Sequence, residues 1–291
     1  FRKGINLTLT ALQSIKKFYP GAQIIFSTTD SDVDQRIRDL DHCLTLIIND
    51  VGSLQLPGLN PQNSNRQIYG TFKGLEYCHT NWVCKTRSDV FFEKWFDFQE
   101  ALKKFPLCPD IDKLNSSGTK VAVSNVTSKR FQIEENYIHH VSDWFYFGKI
   151  SAVREIFSVP LVDKISNNNA VRYKSCEQYI WESWAITNSG GDKSLEAAET
   201  FLITNAIVLD ANQIGFKSFK RGYSIPFGVN GYYGMHHIDW LRLYYNHNHL
   251  DTTISLRIAI LSWLFRSFHF VKHRAVIVPL ISLKRLVKRS V

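Results

Sequence analysis

The sequence lacks the cysteine patterns that identify disulfide-rich or zinc-binding domains. Its five cysteines (Cys43, Cys78, Cys84, Cys108 and Cys176) form no C-x-x-C pair and no paired framework. An odd and scattered set is typical of buried thiols in a reducing compartment. Internal repeats and low-complexity segments are also lacking, which excludes a solenoid or a fibrous protein. We therefore expect a globular protein of the cytoplasm.

The C-terminal part lacks the uninterrupted apolar run that a membrane-spanning helix needs. Residues 254–271 and 275–283 are strongly apolar, but Arg257 and Arg266 leave only eight uncharged residues between them. A spanning helix needs about twenty. Large apolar residues beside Lys and Arg favour helices that lie in the interface of an anionic membrane. The alternative is a helix pair packed on the body of the protein.

A broad basic face is lacking as well. The net charge is +9, but residues 251–291 hold eight Lys/Arg against one Asp, so residues 1–250 carry only +2. A nearly neutral body argues against nucleic acid as a partner. We divide the chain into a domain at 1–250 and a basic amphipathic membrane-surface tail at 251–291.

What the sequence does contain is alternation of helical and strand patterns. Ile5, Leu9, Leu12 and Ile15 share one face of a first helix. The remaining pattern predicts strands at 23–27, 44–48, 82–84, 121–123, 145–147 and 207–209, and helices at 33–40, 91–105, 177–186 and 195–205. A further helix is capped by Ser64 or Asn65 and ends before His79. Such alternation predicts an α/β fold with a central, mostly parallel sheet.

The most informative stretch is 63–92, which predicts a helix followed by a strand with a charged tip. Lys85, Arg87 and Asp89 follow the strand, where ligands bind in open α/β sheets. Arg66 lies in the first turn of the helix, whose free N–H groups attract phosphate. We expect Arg66, Lys85, Arg87 and Asp89 to converge around one diphosphate, with a solvated turn as the alternative.

Four stretches resemble the WavE-type lipopolysaccharide synthesis proteins, which belong with glycosyltransferases of the type-A, Rossmann-like fold. They are SIKKFYPGAQIIFST (14–28), NRQIYGTFKGLEYCHTNWVCKTRSD (65–89), VSDWFYFGK (141–149) and CEQYIWESW (176–184). They occur in the expected order and cover roughly residues 5 to 250. The resemblance implies transfer of a sugar from a nucleotide-activated donor during surface polysaccharide assembly. Taken with the basic apolar tail, it leads us to expect a lipid-linked glycan acceptor and a location on the inner face of the cell membrane.

The resemblance also implies residue roles at the donor. Asn65, Arg66 and Gln67 match the family motif at the start of the helix, and an Asp at the end of a strand, here Asp30, bonds ribose or base in related transferases. Capping of the next helix is the alternative for Asp30. A type-A transferase begins with a strand before its first helix, and we expect that strand to be missing here, with part of the base-binding wall.

A divalent metal, Mg²⁺ or Mn²⁺, usually neutralises the leaving diphosphate. Most type-A enzymes use an Asp-x-Asp motif at the strand tip, whereas this chain has Arg87-Ser88-Asp89. Either Asp89 holds the ion with a late ligand such as His237, or Lys85 and Arg87 replace part of its charge. A surface turn is the alternative for His237.

The catalytic base has two candidates. Glu177 lies in a segment similar to the helix start that carries the base in many inverting type-A enzymes, although Gln178 stands at the usual Asp position. Asp143, in the SDW motif, is the other candidate. The alternatives are a helix-dipole charge for Glu177 and a turn carboxylate for Asp143. A non-catalytic glycan or nucleotide binder and a sugar nucleotidyltransferase are the other functions that the sequence leaves open.

Overall fold

The protein has a mixed α/β fold. The structure, a computed structural model, describes residues 2–30, 33–53, 63–104, 121–133, 138–162, 175–218, 234–248 and 252–272. The helices are α1 (Arg2–Phe18), α2 (Gln35–Arg38), α3 (Ser64–Glu76), α4 (Phe98–Lys103), α5 (Ile150–Phe157), α6 (Cys176–Asn188), α7 (Leu195–Asn205), α8 (Ala211–Ile214), α9 (His237–His247) and α10 (Thr252–Lys272). The strands are β1 (Ile24–Thr28), β2 (Cys43–Ile47), β3 (Trp82–Thr86), β4 (Val90–Phe92), β5 (Val121–Ser124), β6 (Phe145–Lys149), β7 (Ala206–Leu209) and β8 (Phe216–Ser218).

The main sheet has four strands in the order β3-β6-β5-β7. β5 and β7 are parallel, and both β3 and β5 run antiparallel to β6. Three strands therefore share one direction, and their carboxyl ends lie at the same edge as the amino end of β6. The predicted α/β class with mostly parallel strands is confirmed. β1 and β2 form a separate parallel pair, and β4 and β8 form an antiparallel pair.

Two strands of the main sheet, β5 and β7, are fully buried because they are apolar on both faces. Every residue of β5 and β7 is buried, as expected for parallel strands covered by helices. Trp181 and Ile180 of α6, Leu202 of α7 and Ile156 of α5 lie in the same core. A smaller cluster joins α1, β1 and α2. This core therefore fixes the positions of the carboxyl ends of β3, β5 and β7. It also positions the first turns of α6 and α9, which lie near the same edge of the sheet.

The predicted helix at 91–105 is wrong. Val90–Phe92 is a strand, and the helix is confined to Phe98–Lys103. The strand forms because it pairs with β8, far along the chain, and because the backbone N–H of Phe92 donates to Ser14 Oγ of α1 at 3.0 Å. Helical periodicity does not reveal such non-local pairing.

The C-terminal helix α10 packs beside α9. Within the described ranges, no helix combines the length and apolar character needed to cross a membrane.

Gly215 is expected to be intolerant of a side chain, because it ends α8 with φ 67°. An added Cβ would lie 2.4 Å from Lys94 Cγ and 3.1 Å from the Lys94 backbone nitrogen. Gly215→Ala should therefore cost about 1–3 kcal/mol of unfolding free energy, measured by urea denaturation. Gly190 is the matched control, because its φ of 68° is nearly identical and no atom lies within 4 Å of its added Cβ. An equal loss in both alanine variants would show that backbone strain alone, without the Lys94 clash, sets the cost.

Candidate functional site

Charged side chains converge at the carboxyl edge of the main sheet. Lys85 is near the end of β3, Arg87 and Asp89 follow it, and Asp143 lies two residues before the start of β6. These segments are adjacent because Thr86 pairs with Phe145 in the sheet. Glu177, in the first turn of α6, is close enough to act electrostatically on Lys85, Arg87 and Asp143. The structure thus brings together five of the predicted site residues, which we call the strand-tip cluster.

A set of serine hydrogen bonds fixes the SDW motif at this edge. Ser142 Oγ lies 3.3 Å from Ser124 Oγ and accepts the backbone N–H of Trp144 at 3.1 Å. The backbone N–H of Ser142 donates to Ser128 Oγ at 3.0 Å, and Ser128 Oγ donates to the Ser124 carbonyl at 2.8 Å. The end of β5 therefore holds the segment around Asp143 in place.

Asp143 is a buried carboxyl with unsatisfied oxygens. It is 0 % exposed, and neither carboxylate oxygen has a hydrogen-bond partner among the described residues. Burial raises the pKa of Asp143 to about 6; the Glu177 carboxylate also raises it, and Lys85 and Arg87 oppose both. Buried polar atoms normally have partners, so this group is placed to meet a ligand or water.

Lys85 contacts the backbone of Asp143. Its Nζ donates to the Asp143 backbone carbonyl and lies 5.3 Å from the centre of the Phe157 ring. Desolvation lowers the pKa of Lys85, and attraction to Asp143 partly offsets this effect. The ammonium group of Lys85 is therefore held in the strand-tip cluster by the Asp143 carbonyl and the Phe157 ring.

Arg87 bridges the strand tip and the SDW motif. Its Nε donates to Asp89 Oδ1 at 2.9 Å and its Nη2 to Asp89 Oδ2 at 3.2 Å. Its Cζ lies 4.6 Å from the centre of the Trp144 ring, within the range of a cation–π contact. Trp144 therefore orients the guanidinium, which keeps further N–H donors beyond those that bind Asp89.

Glu177, rather than Gln178, is the α6 residue that belongs to the cluster. Ser175 caps the helix by accepting the N–H of Gln178 at 3.2 Å, and the Gln178 side chain donates to the Ile138 carbonyl at 3.0 Å. Glu177 Oε1 instead accepts from Thr127 Oγ1 at 3.5 Å. The two neighbouring side chains therefore have different tasks, one holding the loop before β6 and the other facing the strand tips.

Thr127 also lies at the site, although the sequence does not predict it. Its φ is 66°, an outlier for a β-branched residue, and it is buried next to Glu177. Strained residues of this kind cluster at functional sites because the surrounding structure must hold them. No sequence pattern marks this position, since the strain arises from how the β5 loop is anchored.

The other predicted donor residues lie outside the strand-tip cluster. Both amide atoms of Asn65 pair with the Val162 backbone, at 3.0 and 2.8 Å. Arg66 Nε donates to Asp50 Oδ1 at 2.7 Å, so the structure does not bring its guanidinium to the other cations. Gln67 Oε1 is buried without a partner among the described residues, and Asp30 is exposed after β1. Their donor-binding roles stay predictions.

A second polar network lies where β5 and β7 end side by side. Asp210 Oδ1 accepts from Asn125 Nδ2 at 2.8 Å and from the backbone N–H of His237 at 3.1 Å. Burial opposes ionisation of Asp210, but hydrogen bonds from His236 and His237 outweigh it, so its pKa lies below the ordinary value. This network anchors the start of α9 to the sheet edge, and Asn125 and Asp210 were not predicted.

The described residues do not form a metal centre around Asp89 and His237. Asp89 is bound through both oxygens by Arg87, and His237 Nδ1 donates to the Val208 carbonyl at 2.7 Å. Within the described part of the chain, no group of three or more His, Cys, Asp or Glu side chains could hold a metal ion. A metal bound by Asp89 would have to displace Arg87.

Comparison with known proteins identifies the family. No curated protein and no solved structure gives a significant match to the chain. The family model described as WavE lipopolysaccharide synthesis matches residues 2–273, from the start of α1 to the end of α10. The predicted resemblance is confirmed, and the match extends further than the four motifs suggested. The chain belongs to the WavE lipopolysaccharide synthesis family.

Proposed function

We propose that this protein is a glycosyltransferase that moves a sugar from a nucleotide-activated donor to a lipopolysaccharide or related surface glycan. The observation that carries the proposal is the strand-tip cluster, in which two cations and two carboxylates that act on one another electrostatically share one edge of the sheet. Sugar transfer needs both kinds of group, because a diphosphate leaves as an anion and a hydroxyl must lose a proton.

The cations supply the site for the donor diphosphate. Arg87 can offer phosphate a planar fork of N–H donors, and Lys85 adds a second positive charge behind it. The start of α3 contributes further, because Cys176 Sγ lies 4.0 Å from the Ser64 carbonyl, which puts the amino ends of α3 and α6 side by side. Free N–H groups at helix starts favour anions.

Glu177 is the proposed general base. Its carboxylate accepts the proton of the acceptor hydroxyl as that oxygen bonds to the anomeric carbon, and the bond from this carbon to the diphosphate breaks. Asp143 lies deeper, and its backbone carbonyl accepts from Lys85 Nζ. If Asp143 were the base instead, the rate would fall as the pH drops below about 6, because its protonated form would accumulate.

The role of Mg²⁺ or Mn²⁺ in the proposal is limited by the Arg87–Asp89 pair. Because Arg87 binds both carboxylate oxygens of Asp89, we assign neutralisation of the negative charge on the leaving diphosphate to Lys85 and Arg87 alone. A metal supplies Lewis-acid stabilisation of a diphosphate when one is bound.

The test is a thermal-shift panel of nucleotide sugars, with and without Mn²⁺, followed by assay of nucleoside diphosphate release. We expect one donor to raise the unfolding midpoint of the wild-type protein and Arg87→Gln to weaken this binding by at least tenfold. Arg36→Gln is the matched control, because Arg36 also pairs through two nitrogens with an Asp two residues away, at 2.9 and 2.7 Å.

Each outcome of this panel is informative. Binding without release of nucleoside diphosphate would indicate a non-catalytic family member, and pyrophosphate exchange would indicate a nucleotidyltransferase. If Arg87→Gln and Arg36→Gln weaken donor binding equally, the strand tip is not part of the donor site. A shift that requires Mn²⁺ would show that a metal enters in spite of the Arg87–Asp89 pair.

A further inference from the structure

Helix α10 exposes several large apolar side chains. Trp263 is 65 % exposed and Phe268 61 % exposed. With them on the outward side lie the other exposed apolar residues of this helix, Leu256, Ile260, Leu261 and Leu264. At 100° per residue these six side chains share one side of the helix, which we call the α10 face. Exposed apolar patches of this kind mark interaction surfaces.

The opposite side of α10 is held by the protein. Ser262 is buried, and its Oγ donates to Asp239 Oδ1 of α9 at 3.0 Å. The other Asp239 oxygen accepts the backbone N–H of His236 at 3.2 Å. His236 in turn contacts Asp210 at the sheet edge. These contacts with α9 fix the orientation of α10. The same side of the helix therefore always faces away from α9.

The charge of this region identifies the surface that the face would meet. From residue 252 to residue 291 the sequence has eight Lys/Arg and neither Asp nor Glu. Arg257, which is exposed, lies among the apolar residues of the α10 face. Apolar side chains interspersed with cations suit an anionic bilayer, where the apolar groups enter the headgroup boundary and the cations meet phosphates. A second copy of the chain would be repelled, because it carries the same positive charge in this region.

We propose that the α10 face binds the surface of an anionic membrane, with the helix lying flat in the interface on the cytoplasmic side. This contact does not depend on the proposed sugar transfer. Where both hold, α9 links the membrane helix to the sheet edge through Asp239 and His236, so the site is held close to an acceptor carried by a lipid.

The test is cosedimentation of the full chain with vesicles of phosphatidylglycerol and phosphatidylcholine. The double variant Trp263→Gln/Phe268→Gln should reduce the partition coefficient about 10- to 100-fold, because two large apolar groups no longer enter the interface. The matched control is Trp95→Gln/Tyr77→Gln, which removes two exposed aromatic residues elsewhere and should leave binding unchanged. Wild-type binding should fall severalfold with 0.5 M salt or with pure phosphatidylcholine.

The proposal fails under any of three results. Unchanged vesicle binding of the α10 double variant would exclude the face from the contact. A lower unfolding midpoint of that variant would mean that protein, for example residues 273–291, covers the face. A concentration-dependent dimer that the variant abolishes would identify a second copy as the partner. Loss of vesicle binding with unchanged donor binding would separate this proposal from that of sugar transfer.

Discussion

We expect Glu177→Gln to lower the rate of sugar transfer by about 10²–10⁴-fold, the range of a lost general base. The substitution keeps the size of the side chain and an oxygen that can accept from Thr127 Oγ1, but it removes the ability to take a proton. Donor binding should change little, since Lys85 and Arg87 remain. The measurement is the steady-state release of nucleoside diphosphate in the presence of acceptor, with kcat and KM determined separately.

Glu196→Gln is the matched control for this experiment. Glu196 is the second residue of α7, as Glu177 is the second residue of α6, and both lie in a helix first turn. Both variants therefore lose a favourable helix-dipole interaction of about 0.3–1 kcal/mol. If the two variants lose activity equally, the effect of Glu177 is structural. If Glu177→Gln retains full kcat, the proton acceptor is another group, with Asp143 the next to test.

The parts of the site that follow from local sequence were predictable. Lys85, Arg87 and Asp89 adjoin an apolar strand, and Glu177 begins a helix, so their elements could be derived from periodicity alone. The approach of the strand tip to the SDW motif depends instead on the antiparallel pairing of β3 with β6, in which Thr86 lies opposite Phe145. Arg66 illustrates the limit: its helix position was right, but its ion pair with Asp50 comes from a loop whose path the sequence does not determine.

The residues that were missed depend on contacts between distant segments. Asn125 and Asp210 become neighbours because β5 and β7 pair in parallel, and neither lies in a recognisable motif. The strand at Val90–Phe92 has the same origin, since its partner β8 is formed by residues 216–218. A short apolar run becomes a strand when another strand is available to pair with it, and only the complete fold determines which strand that is.

The protein is expected to lose several kcal/mol of stability between pH 6.5 and pH 4, in large part through two histidines. Burial lowers the pKa of both His139 and His140 to about 4, with Lys193 and Lys129 adding smaller effects of the same sign. Unfolded histidine takes up its proton near pH 6.5. Between these pH values the unfolded state binds protons that the folded state does not, so stability falls as the pH falls. Two and a half pKa units correspond to about 3 kcal/mol for each group.

His139→Asn isolates one of these contributions. His139 has φ 64° and is buried, and Asn tolerates that backbone conformation while lacking a titrating ring. The free energy of unfolding is measured with urea at pH 8, 6.5 and 5. Between pH 6.5 and 5, its slope against pH should correspond to the uptake of about one proton fewer on unfolding in the variant than in wild type. Asp143 contributes the opposite slope, because its raised pKa makes the folded state gain its proton first, but it does so in both proteins and cancels.

His42→Asn completes the experiment, because His42 also has a positive φ, 54°, but its side chain is exposed. The ring of His42 is exposed, so this substitution tests the same backbone conformation without removing a buried imidazole. An equal change of slope in both variants would mean that burial is not the cause. No change of slope in His139→Asn would mean that the folded protein admits a proton at His139 as readily as the unfolded chain does. The loop that Gln178 holds through the Ile138 carbonyl, next to His139, would then be open to solvent.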